Sequence, residues 1–455
     1  MTKLFGTDGI RAKANADAMS PCTVLKVGLA IAKVLRSRTP RNPAAKGETR
    51  HRVVIGKDTR LSGYMIESAL TAGLVSGGVD PVLLGPMPTP AVSMLTTSLR
   101  ADFGIMITAS HNPYTDNGIK MFGSDGYKIS DAEQDEIEAL VQGDLTTLRV
   151  EADELGRAKR LDDAVARYIE SAKRSFPTDL TLEGMRLVVD CAHGATYRVA
   201  PQVLSELGAD ISVIGCEPDG FNINQDCGST DTRALRAEVI RTGADLGIAF
   251  DGDGDRLILC DEKGQVIDGD QIIALVAARM KKAGTLSSGG AVASVMSNMA
   301  LDKHLSDQDI VLHRAPVGDR NVVRMMRETG AVLGGESSGH VIIGKGATTG
   351  DGLVAALQVL AALVVDERPA SEICTRFTPF AQSQQNVRTA NKAILDDQAV
   401  KSAIDRETAQ LEDKGRLLVR ASGTEPLIRI LGEGEDATAI REAVMRIAEE
   451  LENAA

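Results

Sequence analysis

The stretch AFDGDGDRL sets three carboxylates, Asp251, Asp253 and Asp255, at alternate positions with Gly252 and Gly254 between them. Glycines let the backbone turn tightly, so the three side chains can converge, and clustered carboxylate oxygens are what a hard divalent cation takes. Asp251, Asp253, Asp255 and Glu262 also match positions 1, 3, 5 and 12 of a calcium-binding helix–loop–helix loop. Arg256 stands where that loop needs glycine, and the flanks LGIAF and LILC read as strands, so the calcium loop is rejected. A magnesium ion whose coordination is completed by a substrate phosphate suits these few oxygens; the alternative is a solvated acidic turn. Near the C-terminus, VRASGTEPLIR offers Arg420, Ser422, Gly423, Thr424 and Arg429 around one turn. Hydroxyls, glycine N–H groups and paired guanidinium donors are what surrounds a bound phosphate, although a surface turn with two coincidental arginines has the same composition.

A third stretch, ITASHNPYTDNG, places Ser110 beside His111. The preceding FGIMIT reads as a short buried strand over 103–108, while Asn112-Pro113 and Asn117-Gly118 are turn dipeptides. Ser110 is therefore expected at the carboxyl end of a strand, exposed, where ligands of α/β sheets bind and where a hydroxyl can accept a phosphoryl group. A serine capping the next turn is the simpler alternative. In LGGESSGHVI, Glu336, Ser338 and His340 can all bond sugar hydroxyls, but a glycine-rich polar turn is as often structural. Arg11 in FGTDGIR could face a site or pair with Asp8 at the surface, and Lys120 could be a solvated strand lysine. His51, His193, His304 and His313 show no metal-ligand spacing.

A strand–loop–helix pattern must hold these loops, and it occurs three times: RVVIGKDTRLSG followed by YMIESALTAGLVSGG, LVVDCAHGATYRVAPQVLSELG, and AVASVMSNMALDKHL. Each has an apolar run, a polar or glycine-containing loop, and apolar residues at helical spacing. Three related α/β domains with mixed sheets follow, then a smaller C-terminal α+β domain in which RLLVRASGTEPLIRIL reads as strand, loop, strand and ATAIREAVMRIAEELENA as an amphipathic helix. Polar segments place the domains at 1–150, 151–254, 255–370 and 371–455.

A chain of 455 residues exceeds one core, and 43% hydrophobic with 25% charged residues is ordinary for a soluble globular protein. A formal net charge of −12 argues against broad nucleic-acid or anionic-membrane binding while permitting a local basic pocket. The N-terminus lacks the apolar core of a signal peptide, and the longest apolar run, Leu353 to Val365, is too short to span a bilayer and reads as a buried helix. Six dispersed cysteines without a CxxC pair fit reduced thiols in a cytoplasmic chain.

Taken in order, FGTDGIR, GKDTRLSG, GPMPTPAV, TASHNP, CEPDGFNIN, DGDGDR, VGDR, GGESSGH, TTGDG and RASGTEPLIR make the chain resemble the α-D-phosphohexomutase superfamily over nearly its whole length. The resemblance implies four domains around a central cleft, each lending one loop. It implies a phosphoserine at Ser110, with Asp251, Asp253, Asp255 and a phosphoserine oxygen holding one magnesium ion. Glu336 and Ser338 would contact sugar hydroxyls with His340 nearby, and Arg420, Ser422, Gly423, Thr424 and Arg429 would bind the phosphate that is not transferred. Arg11, His111, Lys120 and Arg256 would stabilise the transferring phosphoryl. The implied reaction interconverts glucosamine 6-phosphate and glucosamine 1-phosphate through a hexose 1,6-bisphosphate that also serves as activator, in a cytoplasmic monomer or homodimer with no nucleic-acid or membrane partner. Two positions depart from the pattern: Ala12 where a glycine is common, and Ser337 where the glucosamine branch often carries an amide side chain. A phosphomannomutase or phosphoglucomutase of the same superfamily is the alternative.

Overall fold

A computed structural model of the chain describes residues 3–6, 8–41, 50–287, 290–389, 391–421 and 426–454. The chain divides into two compact units, one of residues 1–296 and 312–375, the other of residues 297–311 and 376–455.

The first unit carries three sheets. The first contains β1 (Ile10–Lys13), β2 (Arg52–Lys57), β3 (Asp80–Pro86), β4 (Phe103–Ile107), β5 (Asp116–Gly123) and β6 (Lys159–Arg160), in the order β1-β5-β4-β2-β3-β6. The second contains β7 (Arg186–Asp190), β8 (Asp210–Ile214), β9 (Leu246–Phe250), β10 (Leu257–Asp261) and β11 (Val266–Ile267), ordered β11-β10-β9-β7-β8. The third contains β12 (Gly290–Ser294), β13 (Val311–Ala315), β14 (Leu333–Gly335) and β15 (Val341–Ile343), ordered β13-β12-β14-β15. One topology recurs: a first strand flanked by the second and by a parallel third, with the third turning back as an antiparallel hairpin into the fourth. Ser110 lies in the β4–β5 turn, the three aspartates in the β9–β10 turn, and Glu336 to His340 in the β14–β15 turn. Three chemically different loops thus occupy one topological position.

The apolar runs explain the layers. β2, β4 and β9 are buried on both faces, as parallel strands covered by crossover helices must be, and their Val, Ile and Phe side chains form the cores. Each fully buried side chain of this size contributes roughly 1.5–3 kcal/mol. Leu353 to Val365 lies in the helix Gly352–Asp366 and is almost wholly buried, as its composition predicts.

Asn117-Gly118 is not a turn. Both residues lie within β5, where Asn117 Nδ2 donates to Ser62 Oγ at 2.8 Å. Gly118 is required there by close packing, because a Cβ would stand 2.7 Å from the carbonyl oxygens of both Ile10 and Thr108. The chain reverses earlier, over residues 109–115.

In the second unit, β16 (Ala381–Arg388), β17 (Gly415–Ala421) and β18 (Leu427–Gly434) form an antiparallel sheet ordered β16-β18-β17. The helix Ala437–Ala454 buries Ile440, Val444, Ile447 and Leu451 at helical spacing, as its pattern predicts. The third strand–loop–helix motif is split: its strand is β12, but its helix, Met299–Ser306, belongs to this second unit. That helix is anchored at its start, where Met299 N–H donates to Glu433 Oε1 at 3.0 Å. Among the described residues no helix is long and apolar enough to cross a membrane.

Candidate active site

Ser110 sits in the left-handed region, with φ at +53°, at the head of the β4–β5 turn. A non-glycine residue stays there only when its surroundings fix it. They do: its N–H donates to Thr108 Oγ1 at 2.8 Å, and its carbonyl accepts from Arg60 Nη2 at 2.9 Å and Asn224 Nδ2 at 2.9 Å. Arg60, fully buried and paired with Asp58, also donates to the carbonyls of Asn112, Pro113 and Asp116. One guanidinium thereby pins the whole turn. Ser110 is only 2% exposed, against the expectation of an exposed serine. The reason is its partner: Ser110 Oγ donates to Asp251 Oδ2 at 2.7 Å, and His111 Nδ1 lies 3.4 Å away.

Asp251, Asp253 and Asp255 are buried and offer oxygens that all lie within 4.8 Å of one another. Lys120 Nζ bonds Asp253 Oδ2 at 2.7 Å and Asp255 Oδ2 at 2.8 Å, and Thr89 Oγ1 donates to Asp253 Oδ2 at 2.5 Å. Asp253 Oδ1 and Asp255 Oδ1 remain buried without a hydrogen-bond partner. Buried carboxylate oxygens left unpaired are costly, and two of them within a cluster of three carboxylates are a donor set for a divalent cation, so the residues fit a metal ion. The crowding also shows in Asp251, pushed up to about 8 by burial and by Asp253 and Asp255. Glu262 is occupied elsewhere, accepting from the backbone N–H of Ser371 at 3.0 Å, so the calcium-loop match has no structural counterpart.

Lys120 is 2% exposed on β5 rather than a solvated lysine. Burial opposes its charge, yet Asp253, Asp255 and Asp8 hold it well above the usual lysine value. His340 Nε2 accepts from Gly350 N–H at 3.0 Å, which leaves the proton on Nδ1, 3.6 Å from Asp255 Oδ1. His111 is pushed down to about 4 by burial, then by Arg256 and Arg11, so its ring is neutral at physiological pH. Arg11 does pair with Asp8, at 2.7 Å, but the pair belongs to a charge network: Lys128 bridges Asp8 and Asp319, and Asp319 Oδ2 lies 3.8 Å from His340 Nε2. Arg256 is held by the three aspartates around it, and its backbone N–H donates to Asp251 Oδ1 at 3.2 Å. Glu336 Oε1 accepts from Gly318 N–H at 3.2 Å, and Ser338 is exposed at the tip of its turn.

In the second unit, Arg420 and Arg429 are register partners on β17 and β18, both half-buried. Like charges directly opposite destabilise a ladder, and here burial and Arg429 lower the pKa of Arg420. Ser422, Gly423 and Thr424 lie outside the described residues.

Sequence reasoning assigned no role to Thr89, Arg60, Asn224, Lys128 or Asp319. The first three and Asp319 lie inside the motifs GPMPTPAV, GKDTRLSG, CEPDGFNIN and VGDR, whereas Lys128 has no motif around it.

Four family models match the chain: phosphoglucomutase/phosphomannomutase α/β/α domain I at residues 2–147, domain II at 166–264, domain III at 268–380, and the C-terminal domain at 385–450. The chain is 56% identical over 454 residues to the phosphoglucosamine mutase of Rhodospirillum rubrum, covering 99% of this chain and 98% of that protein. It is 54% identical over 444 residues to the phosphoglucosamine mutase of Caulobacter vibrioides, covering 98% and 97%. A phosphoglucomutase/phosphomannomutase family protein from Burkholderia thailandensis shares the fold with a TM-score of 0.81 at 23% identity, over 99% of this chain and 97% of that one. Aspergillus fumigatus N-acetylphosphoglucosamine mutase, in complex with GlcNAc-6P and magnesium, has a TM-score of 0.68 at 17% identity, over 99% and 96%.

Proposed function

This chain belongs to the phosphoglucomutase/phosphomannomutase family, and on that premise we propose that it is an isomerase interconverting glucosamine 6-phosphate and glucosamine 1-phosphate through a phosphoserine at Ser110. The observation that carries the reading is the 2.7 Å hydrogen bond from Ser110 Oγ to Asp251 at the edge of a three-aspartate cluster. The sugar is inferred from relatives named phosphoglucosamine mutase at 53–56% identity over the full chain.

In the proposed cycle the bond from phosphorus to Ser110 Oγ breaks as a bond from phosphorus to a sugar hydroxyl forms. The hydroxyl loses its proton and Ser110 Oγ regains one; the bisphosphate then turns over and its other phosphoryl returns to the serine. His111 is the ring placed to exchange a proton with Ser110 Oγ. Asp251, Asp253 and Asp255, with a phosphoserine oxygen, would hold a magnesium ion, which when bound neutralises charge on the phosphoryl oxygens. Lys120, Arg256 and Arg11 supply the remaining positive charge around the transferring group. Glu336 and Ser338 bond sugar hydroxyls with His340 behind them, while Arg420, Ser422, Gly423, Thr424 and Arg429 cradle a phosphate. A hexose 1,6-bisphosphate is the intermediate and serves as activator. The activity belongs in the cytoplasm, supplying UDP-N-acetylglucosamine for cell-wall synthesis.

Ser337 tests the choice of sugar. Phosphorus NMR of the protein with magnesium and a trace of glucose 1,6-bisphosphate is expected to show glucosamine 6-phosphate converting faster than the glucose or mannose ester, with no inorganic phosphate. Faster conversion of glucose or mannose overturns the assigned substrate, and accumulation of inorganic phosphate overturns the mutase reading.

A further inference from the structure

The loop after β7 and the turn after β8 run side by side, because the two strands are parallel with Asp190 opposite Ile214. Their pairing continues past the strands: Cys191 N–H donates to the Ile214 carbonyl at 3.1 Å, and His193 N–H to that of Gly215 at 2.5 Å. Ala192, His193 and Gly215 all have positive φ, at 53°, 48° and 57°, so both chains leave the pleat within a residue of each other. That double turn sets Cys191 and Cys216, both free, on paired backbone segments one and two residues beyond the register partners Asp190 and Ile214.

The two cysteines differ in a way that suits sequential chemistry. Cys216 is half-buried, reachable by a small oxidant, and donates its S–H to the Tyr197 carbonyl at 2.9 Å. Its contact with Cys191 lowers its pKa, whereas that same contact and then burial hold the Cys191 thiol well above the usual value. Cys216 is the half-buried thiol and Cys191 the fully buried one, so an oxidant entering from solvent meets Cys216 first and Cys191 resolves. Cys227, buried near Asp190, is pushed up to about 12 by burial and stays a thiol.

We propose that Cys191 and Cys216 are a dithiol that hydrogen peroxide closes into a reversible disulfide between the ends of β7 and β8. The Cys216 thiolate attacks one peroxide oxygen and the O–O bond breaks, giving a sulfenic acid at Cys216 and, with one proton, a water. The Cys191 sulfur then displaces the hydroxyl of that sulfenic acid and loses its own proton, forming the S–S bond and a second water. Two thiols are oxidised and one peroxide is reduced to two waters, so nothing further is consumed. The bridge would sit one residue from the machinery described above. Ala195 N–H donates to the Gly252 carbonyl at 2.8 Å, and Asn224, which holds the Ser110 carbonyl, donates its N–H to that of Ala192 at 2.9 Å.

The full-length chain carrying Cys22→Ser, which removes the exposed thiol, is treated with hydrogen peroxide, alkylated, digested without reductant and analysed by mass spectrometry. The peptides containing Cys191 and Cys216 are expected joined and lighter by two hydrogens, separating on dithiothreitol, while an added Cys216→Ser leaves Cys191 as an alkylatable thiol. Oxidation of Cys216 onward to sulfinic acid with Cys191 unjoined, a bridge from Cys191 to Cys227, or two unreacted thiols overturns the proposal.

Discussion

The β4–β5 and β9–β10 turns occupy the same place in successive sheets and are held in opposite ways. In the first, the backbone is saturated: Arg60 and Asn224 take up the carbonyls of Ser110 and Asn112, and a left-handed serine is fixed with its hydroxyl aimed at one oxygen. In the second, side-chain oxygens are left over: Asp253 Oδ1 and Asp255 Oδ1 have no hydrogen-bond partner although buried. A group that must react from one position needs every competing conformation excluded, and a cation site needs valence held in reserve. The β14–β15 turn, with Ser338 exposed at its tip, resembles neither.

Removing the reactive atom should have the largest effect. Ser110→Ala is expected to reduce mutase turnover by at least about a thousandfold, the scale seen on losing a covalent nucleophile. Its melting temperature should stay close to that of the parent, because the backbone bonds that hold the turn survive. Removing the clamp gives the converse. Arg60→Leu leaves Asp58 buried without its partner and takes a donor from four carbonyls, so denaturant unfolding should show a loss of about 3–5 kcal/mol. A small loss would mean that the turn is fixed by packing instead. For the second turn, Asp253→Asn is expected to cost about a hundredfold in turnover and to abolish the rise in melting temperature on adding magnesium, measured by calorimetry. An undiminished magnesium response would place the cation elsewhere.

The weakest of these effects lies outside both turns. Asp351 caps the helix Gly352–Asp366 and accepts from Tyr168 Oη at 2.9 Å and Val354 N–H at 3.0 Å, while burial pushes it up to about 6 from 3.8. A raised carboxyl means that the folded chain binds the proton more tightly than the unfolded one. The cost of burying the charge is therefore absent below the unfolded value, grows between pH 3.8 and about 6, and is constant above that. An amide oxygen in place of the carboxylate would keep both hydrogen bonds without the charge. Asp351→Asn should be neutral near pH 3.5 and stabilising by about 1–3 kcal/mol at pH 8, read from unfolding curves at the two pH values. Equal stability at both pH values would show that Asp351 is solvated.

Much of this arrangement was legible in the chain because local rules govern it. Short apolar runs ended by turn residues marked β4, β9 and β17, and the alternation of aspartate with glycine marked a loop whose carboxylates can converge. What escaped was whatever depends on the tertiary pairing of distant segments. Lys128 gains its role by bridging Asp8 and Asp319, far away on either side in sequence, and nothing around it announces burial. Asn117-Gly118 read as a turn because that dipeptide favours one; the need for a residue without a Cβ between Ile10 and Thr108 overrode the local preference. Ser110 proved buried for a related reason, since the aspartate that covers it arrives from another sheet.

Ser110 is proposed to store and return the phosphoryl group. The direct measurement uses glucose 1,6-bisphosphate labelled with radioactive phosphate, incubated with the enzyme and magnesium, followed by peptide mapping and a chase with unlabelled glucosamine 6-phosphate. Label on the Ser110 peptide that leaves as sugar bisphosphate and monophosphate is the expected result. Label found on another residue, or released from Ser110 as inorganic phosphate, would contradict it.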